Sequence, residues 1–182
     1  MSQLTIDQAF QIAVGHHRIG QLPQAEKLYR QILAHQPEHV GALHYLGVIA
    51  HQSGRSDIAV ELIRKALSLN PRDAEIYSNL GNVLKEIGQL DQAIAACRHA
   101  IVLNPHLAEA YNNLGNALRA SGQVDQAVAA HRQAIALKPN YPDVYSNLGN
   151  VLADKGQLDE SIAAYRQAIA LRPDFAAARV PR

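Results

Sequence analysis

Apolar and polar positions follow one another along this chain with the period of an α-helix, and the pattern itself recurs every 34 residues. Tyr77, Leu80, Gly81 and Leu84 stand at i, i+3, i+4 and i+7, the spacing of one helical face. The same face returns as Tyr111, Leu114, Gly115 and Leu118, and again as Tyr145, Leu148, Gly149 and Leu152. Punctuation separates these stretches at the same interval: Gly20, Gly54, Gly88, Gly122 and Gly156, then Pro37, Pro71, Pro105, Pro139 and Pro173. Glycine accepts the left-handed dihedrals that end a helix, and proline cannot continue one. Numbering each unit 1–34, with glycine at 15 and proline at 32, gives repeats 6–39, 40–73, 74–107, 108–141 and 142–175. Positions 1–14 predict a helix A and positions 17 to about 31 a helix B. The expectation is an all-α solenoid of five helix–turn–helix repeats forming a single domain over 1–182, with no long linker.

Smaller signals agree. Glycine at position 8 permits close helix approach, as do Ala25, Ala59, Ala93 and Ala127 at position 20, where repeat five has Ser161. Asp57, Asp91, Asp125 and Asp159 fall in the first turn of helix B, where the positive end of the helix dipole stabilises an anion. Repeat one has Pro23 there, also suited to a first turn. Its other departures, Ala9, Ala13 and His16 on the helix A face, mark a terminal repeat. Thr5 and Gln8 have capping-box spacing at its start.

These recurring residues resemble the tetratricopeptide repeat: small residues at 8 and 20, glycine at 15, proline at 32, and a large or aromatic residue at 24. The resemblance implies a right-handed superhelix whose A helices line a concave surface, with positions 2, 6, 9 and 13 facing it. Position 6 holds Gln11, Tyr45, Asn79, Asn113 and Asn147; position 9 holds Val14, Val48, Asn82, Asn116 and Asn150. Six asparagines thus run in two rows through three repeats. Asparagine is a mediocre helix former, and its amide offers a donor and an acceptor to match a peptide unit. The rows are therefore candidates for gripping an extended polypeptide by its backbone. The segments AEAYNNLGNAL and DVYSNLGNVL also look like the repeat domain of O-linked N-acetylglucosamine transferases and their bacterial relatives. That likeness implies the same role for Asn79, Asn113 and Asn147, in a chain with no transferase domain. Phe10, Val14, His44, Tyr45 and Val48 are expected to make the N-terminal third of the groove apolar, a contact surface for an apolar anchor.

Other family functions fit less well. Carboxylate-clamp repeats resemble one another in placing Lys at 5 and Asn at 9, Asn at 6 of the next repeat, then Lys at 2 and a basic residue at 6 of a third. Here position 5 holds Phe10, His44, Ser78, Asn112 and Ser146, and position 2 holds Asp7, Gly41, Glu75, Glu109 and Asp143, whose acids would repel a terminal carboxylate. Arg30, Arg64, Arg98, Arg132 and Arg166, all at position 25, predict a solvated or salt-bridged ridge on helix B. With 17 basic and 16 acidic residues, net charge +1, the chain has little field to recruit nucleic acid. Nine histidines show no metal-ligand spacing, since Pro37 separates His35 from His39 and no Cys or Asp completes a set around His16, His17, His44 and His51. Cys97, the single cysteine, sits at position 24 and reads as a core residue. No nucleophile–base pairing and no phosphate loop stands out, so the expectation is a non-enzyme without cofactor or metal. The lack of a secretory signal pattern or membrane-length apolar run points to a cytoplasmic location without membrane attachment.

Three functions compete: a peptide-binding scaffold, the substrate-recruiting arm of a glycosyltransferase, and a self-assembling scaffold. The third rests on Ile162, Tyr165 and Ile169, a stripe on the last helix B that only Phe175 and Ala176–Ala178 follow. The closing Val180, Pro181 and Arg182 read as the remnant of a cleavable tag.

Overall fold

The computed structural model describes residues 5–172. Within them the chain forms ten α-helices: α1 (Ile6–Arg18), α2 (Leu22–His35), α3 (Val40–Gln52), α4 (Ser56–Leu69), α5 (Ala74–Glu86), α6 (Leu90–Leu103), α7 (Ala108–Ala120), α8 (Val124–Leu137), α9 (Pro142–Asp154) and α10 (Leu158–Leu171). The odd-numbered helices are the A helices and the even-numbered ones the B helices, so the expected succession is present. Phe175, Ala176–Ala178 and the final Val-Pro-Arg lie outside the described residues. No helix among the described residues is long and apolar enough to cross a membrane.

Each A helix stops at position 13. Two residues later the chain turns through a glycine whose φ lies between +75° and +79° in all five repeats, a conformation that costs other residues a steric penalty. Starts are capped unevenly. Thr5 and Gln8 form the reciprocal capping box at α1, and the Asp73 carboxylate accepts from the Glu75 and Ile76 amides at α5. His39 accepts from the Ala42 amide at α3, whereas α7 has no side-chain cap.

Packing within a pair is a lock between position 8 and position 24. Ile63 is fully buried against Gly47, Cys97 against Gly81 and His131 against Gly115, while Tyr165 lies over Gly149. A methyl group built on Gly47 would come 2.7 Å from Ile63 Cγ1, and one on Gly149 2.9 Å from the Tyr165 ring. Each pair therefore trades a side chain on helix A for a larger one on helix B. Ala25, Ala59, Ala93 and Ala127 at position 20 have no exposed surface, and Ser161 Oγ donates to the Gly149 carbonyl at 2.8 Å. Cys97 is a core residue, and burial pushes its thiol up to about 12.

Successive A helices touch one another (α3–α5, α5–α7, α7–α9), and no two successive B helices pack comparably among the described residues. Helices are closer on the inside of a bend, so the A helices line the concave side. Side-chain reach matches this difference. On the inner side the short Asn79, Asn113 and Asn147 amides bridge to the preceding A helix. On the outer side long arginines span adjacent B helices: Arg64 to Gln92 (2.9 Å), Arg98 to Gln126 (3.2 Å) and Arg132 to Glu160 (2.9 Å). The position-25 arginines are thus the outer rungs of the solenoid. In repeat two the acceptor's place is taken by Ile58, exposed at 45 %, and Arg30 turns to Glu26 on its own helix.

Candidate functional site

The floor of the concave surface is made by positions 5, 6 and 9 of the A helices. All six asparagines are half-buried, and the structure engages most of them internally. Asn79 Nδ2 lies 2.8 Å from His44 Nε2. Asn113 Nδ2 donates to the Ser78 carbonyl (3.2 Å) and to Ser78 Oγ (3.0 Å). Asn147 Nδ2 donates to Asn112 Oδ1 at 3.0 Å. In every case position 6 gives its N–H to position 5 of the preceding repeat. A backbone carbonyl can only accept, so the bond to Ser78 fixes which end of the Asn113 amide points back. Burial pushes His44 down to about 4, so its ring is neutral at pH 7 and Nε2 can accept from Asn79. For Asn113 the amide oxygen is therefore the end directed away from the Ser78 carbonyl.

The second row is anchored differently. Asn82 Nδ2 approaches His51 Nε2 at 3.3 Å, and Asn150 Oδ1 accepts from the Tyr165 hydroxyl at 2.6 Å. Asn116, Asn147 and Asn150 line a hollow of about 550 Å³ with Lys85, Arg119 and Asp154. A smaller one of about 310 Å³ lies toward the helix starts, between Glu75, Ser78, Asn79, Leu107 and Glu109. Lys85 and Arg119 are groove residues that the sequence reading passed over. Their signal was position 12, which reads His17, His51, Lys85, Arg119 down the chain. Arg119 holds Asp154 at 2.6 Å and keeps its carboxyl below the usual carboxylate range. Burial lowers the His17 and His51 imidazoles, so the charge of this row at neutral pH resides in repeats three and four.

The N-terminal third differs from the exposed apolar patch expected of it. His44 is buried at 6 % exposure, and Phe10, Val14, Tyr45 and Val48 are half-buried. Tyr45 stacks on Tyr29 with ring centroids 5.7 Å apart and planes 8° from parallel, while His17 and His44 meet Tyr45 at 5.3 and 5.0 Å. Phe10 packs on the backbone of Gly41 and lies 6.1 Å from Tyr45. The aromatic residues are mainly a joint between repeats one and two. The physical reason is the missing amide pair: Phe10 and Tyr45 occupy the same two positions as Ser78 and Asn113 and join by ring contact instead.

Of the stripe expected on the last helix, Ile162 and Ile169 are exposed at 48 % and 42 %. Tyr165 is not: its ring covers Gly149 and its hydroxyl is held by Asn150. Among the described residues no group of three or more His, Cys, Asp or Glu side chains converges to hold a metal.

Family models described as TPR repeat match residues 81–119, 115–156 and 149–180, and models described as tetratricopeptide repeat match 62–95 and 12–74. No curated protein sequence matches the chain. Among solved structures, a crystal structure of MamA shares 29 % identity over 91 % of this chain and 97 % of its own, with a TM-score of 0.71. TTC0263, a thermophilic TPR protein from Thermus thermophilus, shares 24 % over 93 % and 92 %, with a TM-score of 0.83. YrrB, described as a TPR protein with an unusual peptide-binding site, shares 21 % over 97 % and 93 %, with a TM-score of 0.66.

Proposed function

Because the chain belongs to the tetratricopeptide repeat family, we propose that it is a protein-interaction scaffold holding an extended polypeptide along the asparagine rows of repeats three to five. The observation that carries this reading is the common orientation of the position-6 amides. Each places its amide nitrogen 2.8–3.0 Å from a partner on the preceding A helix, and on this reading the amide oxygens are the acceptors offered to a partner. An extended chain presents backbone N–H groups at regular intervals, whatever its side chains.

Replacing Asn113 and Asn147 by alanine removes two such acceptors. At about 0.5–1.5 kcal/mol each, the affinity of a groove-bound partner should fall by roughly one to two orders of magnitude, measured by calorimetry. Each substitution also cuts an internal rung, so the comparison belongs well below the melting temperature of the variant, with helical content checked by circular dichroism. Unchanged affinity would move the site out of the groove. The same groove would serve as a glycosyltransferase's substrate-recruiting arm if a nucleotide-sugar-binding α/β pattern follows in a longer chain, and downstream sequence decides that.

A second reading, end-to-end self-association, is supported by the exposure of Ile162 and Ile169 on α10. Leaving a large apolar side chain in water forgoes about 1.5–3 kcal/mol relative to burying it. Light scattering should show the mass rising with concentration, and Ile162→Lys with Ile169→Lys should hold it at the monomer. A wild type that stays monomeric at millimolar concentration rules this reading out.

A further inference from the structure

The groove is electrically divided across its width. Helices α5 and α7 each carry a glutamate at their second residue, Glu75 and Glu109, and a cation at their twelfth, Lys85 and Arg119. Ten residues of helix separate the two, roughly 15 Å, with the asparagine rows between them. The two hollows reflect the division: Glu75 and Glu109 border one, Lys85 and Arg119 the other. Repeats one and two lack the pattern, with Gly41 in place of the acid of repeat two and histidines in place of the cations.

We propose that the polypeptide held here is zwitterionic across its own width, with basic side chains directed to Glu75 and Glu109 and acidic ones to Lys85 and Arg119. The proposal rests on the groove reading above and adds the partner's charge pattern. Successive side chains of an extended segment point to opposite sides. A chain lying along the asparagine rows therefore sends alternate residues to the two rims. Adjacent A helices stand roughly 8–10 Å apart, so like charges two to four residues apart reach neighbouring rim residues. A segment with charges of one sign on alternate residues gains at one rim only, and one charged with that sign throughout is repelled at the other. Three of the four groups have partners now: Glu109 with Lys138 (2.8 Å), Arg119 with Asp154 (2.6 Å) and Lys85 with the adjacent Glu86. The Glu109–Lys138 and Arg119–Asp154 pairs are solvent-exposed on both sides, which makes them weak and exchangeable. Glu75 makes no ion pair among the described residues.

The test uses four synthetic peptides of about ten residues, enough at about 3.3 Å each to cross three repeats: alternating Lys-Glu, Lys-Ser, Glu-Ser and Gly-Ser. At low salt the Lys-Glu peptide should bind about tenfold tighter than the others, and the preference should vanish near ~1 M salt, where screening is nearly complete. Glu75→Lys with Glu109→Lys should transfer the preference to the Glu-Ser peptide. Equal binding of all four, weakened by Asn113→Ala with Asn147→Ala, overturns the charge rule and leaves the groove reading standing. A single-sign peptide binding tightest to the wild type overturns it as well. No binding of any peptide also defeats the charge rule, and the groove reading is then judged by the asparagine variant with a captured protein partner.

Discussion

Acidification from pH 7 to pH 4 should remove about 3 kcal/mol of folding stability for each of two buried histidines, His44 and His131. His131 has no exposed surface and His44 only 6 %. Burial pushes both imidazoles down to about 4 from an ordinary value of 6.5. The unfolded chain takes up a proton on each near pH 6.5, and the folded chain only near pH 4. Between those values the unfolded state binds more protons, so stability falls as pH falls. It is fully present above about pH 6.5 and lost by about pH 4. Exposed carboxylates titrate in the same range, so the measurement is a difference between variants. His131→Ile copies Ile63 at the equivalent position of repeat two, and His44→Ser copies Ser78 in repeat three. Urea unfolding at pH 7 and pH 4 should show each variant losing about 3 kcal/mol less than the wild type. Equal losses would mean that these rings are protonated without cost. His131→Ile should also gain at neutral pH, because both ring nitrogens of His131 are buried without a hydrogen-bond partner.

Ile63→Ala should cost about 2–5 kcal/mol, the range for truncating a fully buried isoleucine and leaving a cavity. The lock between positions 8 and 24 supplies a sharper consequence. A methyl on Gly47 meets Ile63 Cγ1 at 2.7 Å, so Gly47→Ala in the wild type overpacks the pair and destabilises it. In the Ile63→Ala background that atom is absent. The same methyl then fills part of the void, and alanine is about 1 kcal/mol better than glycine within a helix. Gly47→Ala should therefore lose most of its cost in the double variant, where the Ala59 carbonyl at 3.3 Å is the close contact that remains. Additive effects in a double-mutant cycle would show that the two residues do not form one lock.

The fold was legible because its instructions are short-range and repeated. Gly20 to Gly156 and Pro37 to Pro173 mark the helix ends by backbone chemistry alone, and the observed A helices stop one residue before the expected end. The groove was legible only as a row of residue types. Which end of each asparagine points outward depends on a partner 35 residues away, Ser78 for Asn113 or Asn112 for Asn147. A trace of that pairing is present in the chain. Positions 5 and 6 of adjoining repeats change together, aromatic in Phe10 and Tyr45, polar in the three pairs that follow. Helical spacing puts Tyr165 on one stripe with Ile162 and Ile169 but cannot tell which flank its ring covers. Gly149 and Asn150 decide it.

The inner and outer rungs together act as tie-rods. The joints from repeat two to repeat five each carry a short amide link on the inside and a long arginine link on the outside. Hydrogen bonds are directional, so a joint pinned on both sides resists bending either way and keeps its pitch. The first joint has neither the amide link nor an arginine link from position 25. Stacked rings hold it on the inside, Ile58 replaces the outer acceptor, and Arg55 reaching Glu26 at 3.3 Å is the polar link across it. Ring contacts are less directional than hydrogen bonds, so repeat one is joined to repeat two by a different kind of contact from those that space repeats two to five. The asparagine rows lie within the doubly pinned part, so their spacing is set by the rods, and the Phe10–Tyr45 joint stands outside it.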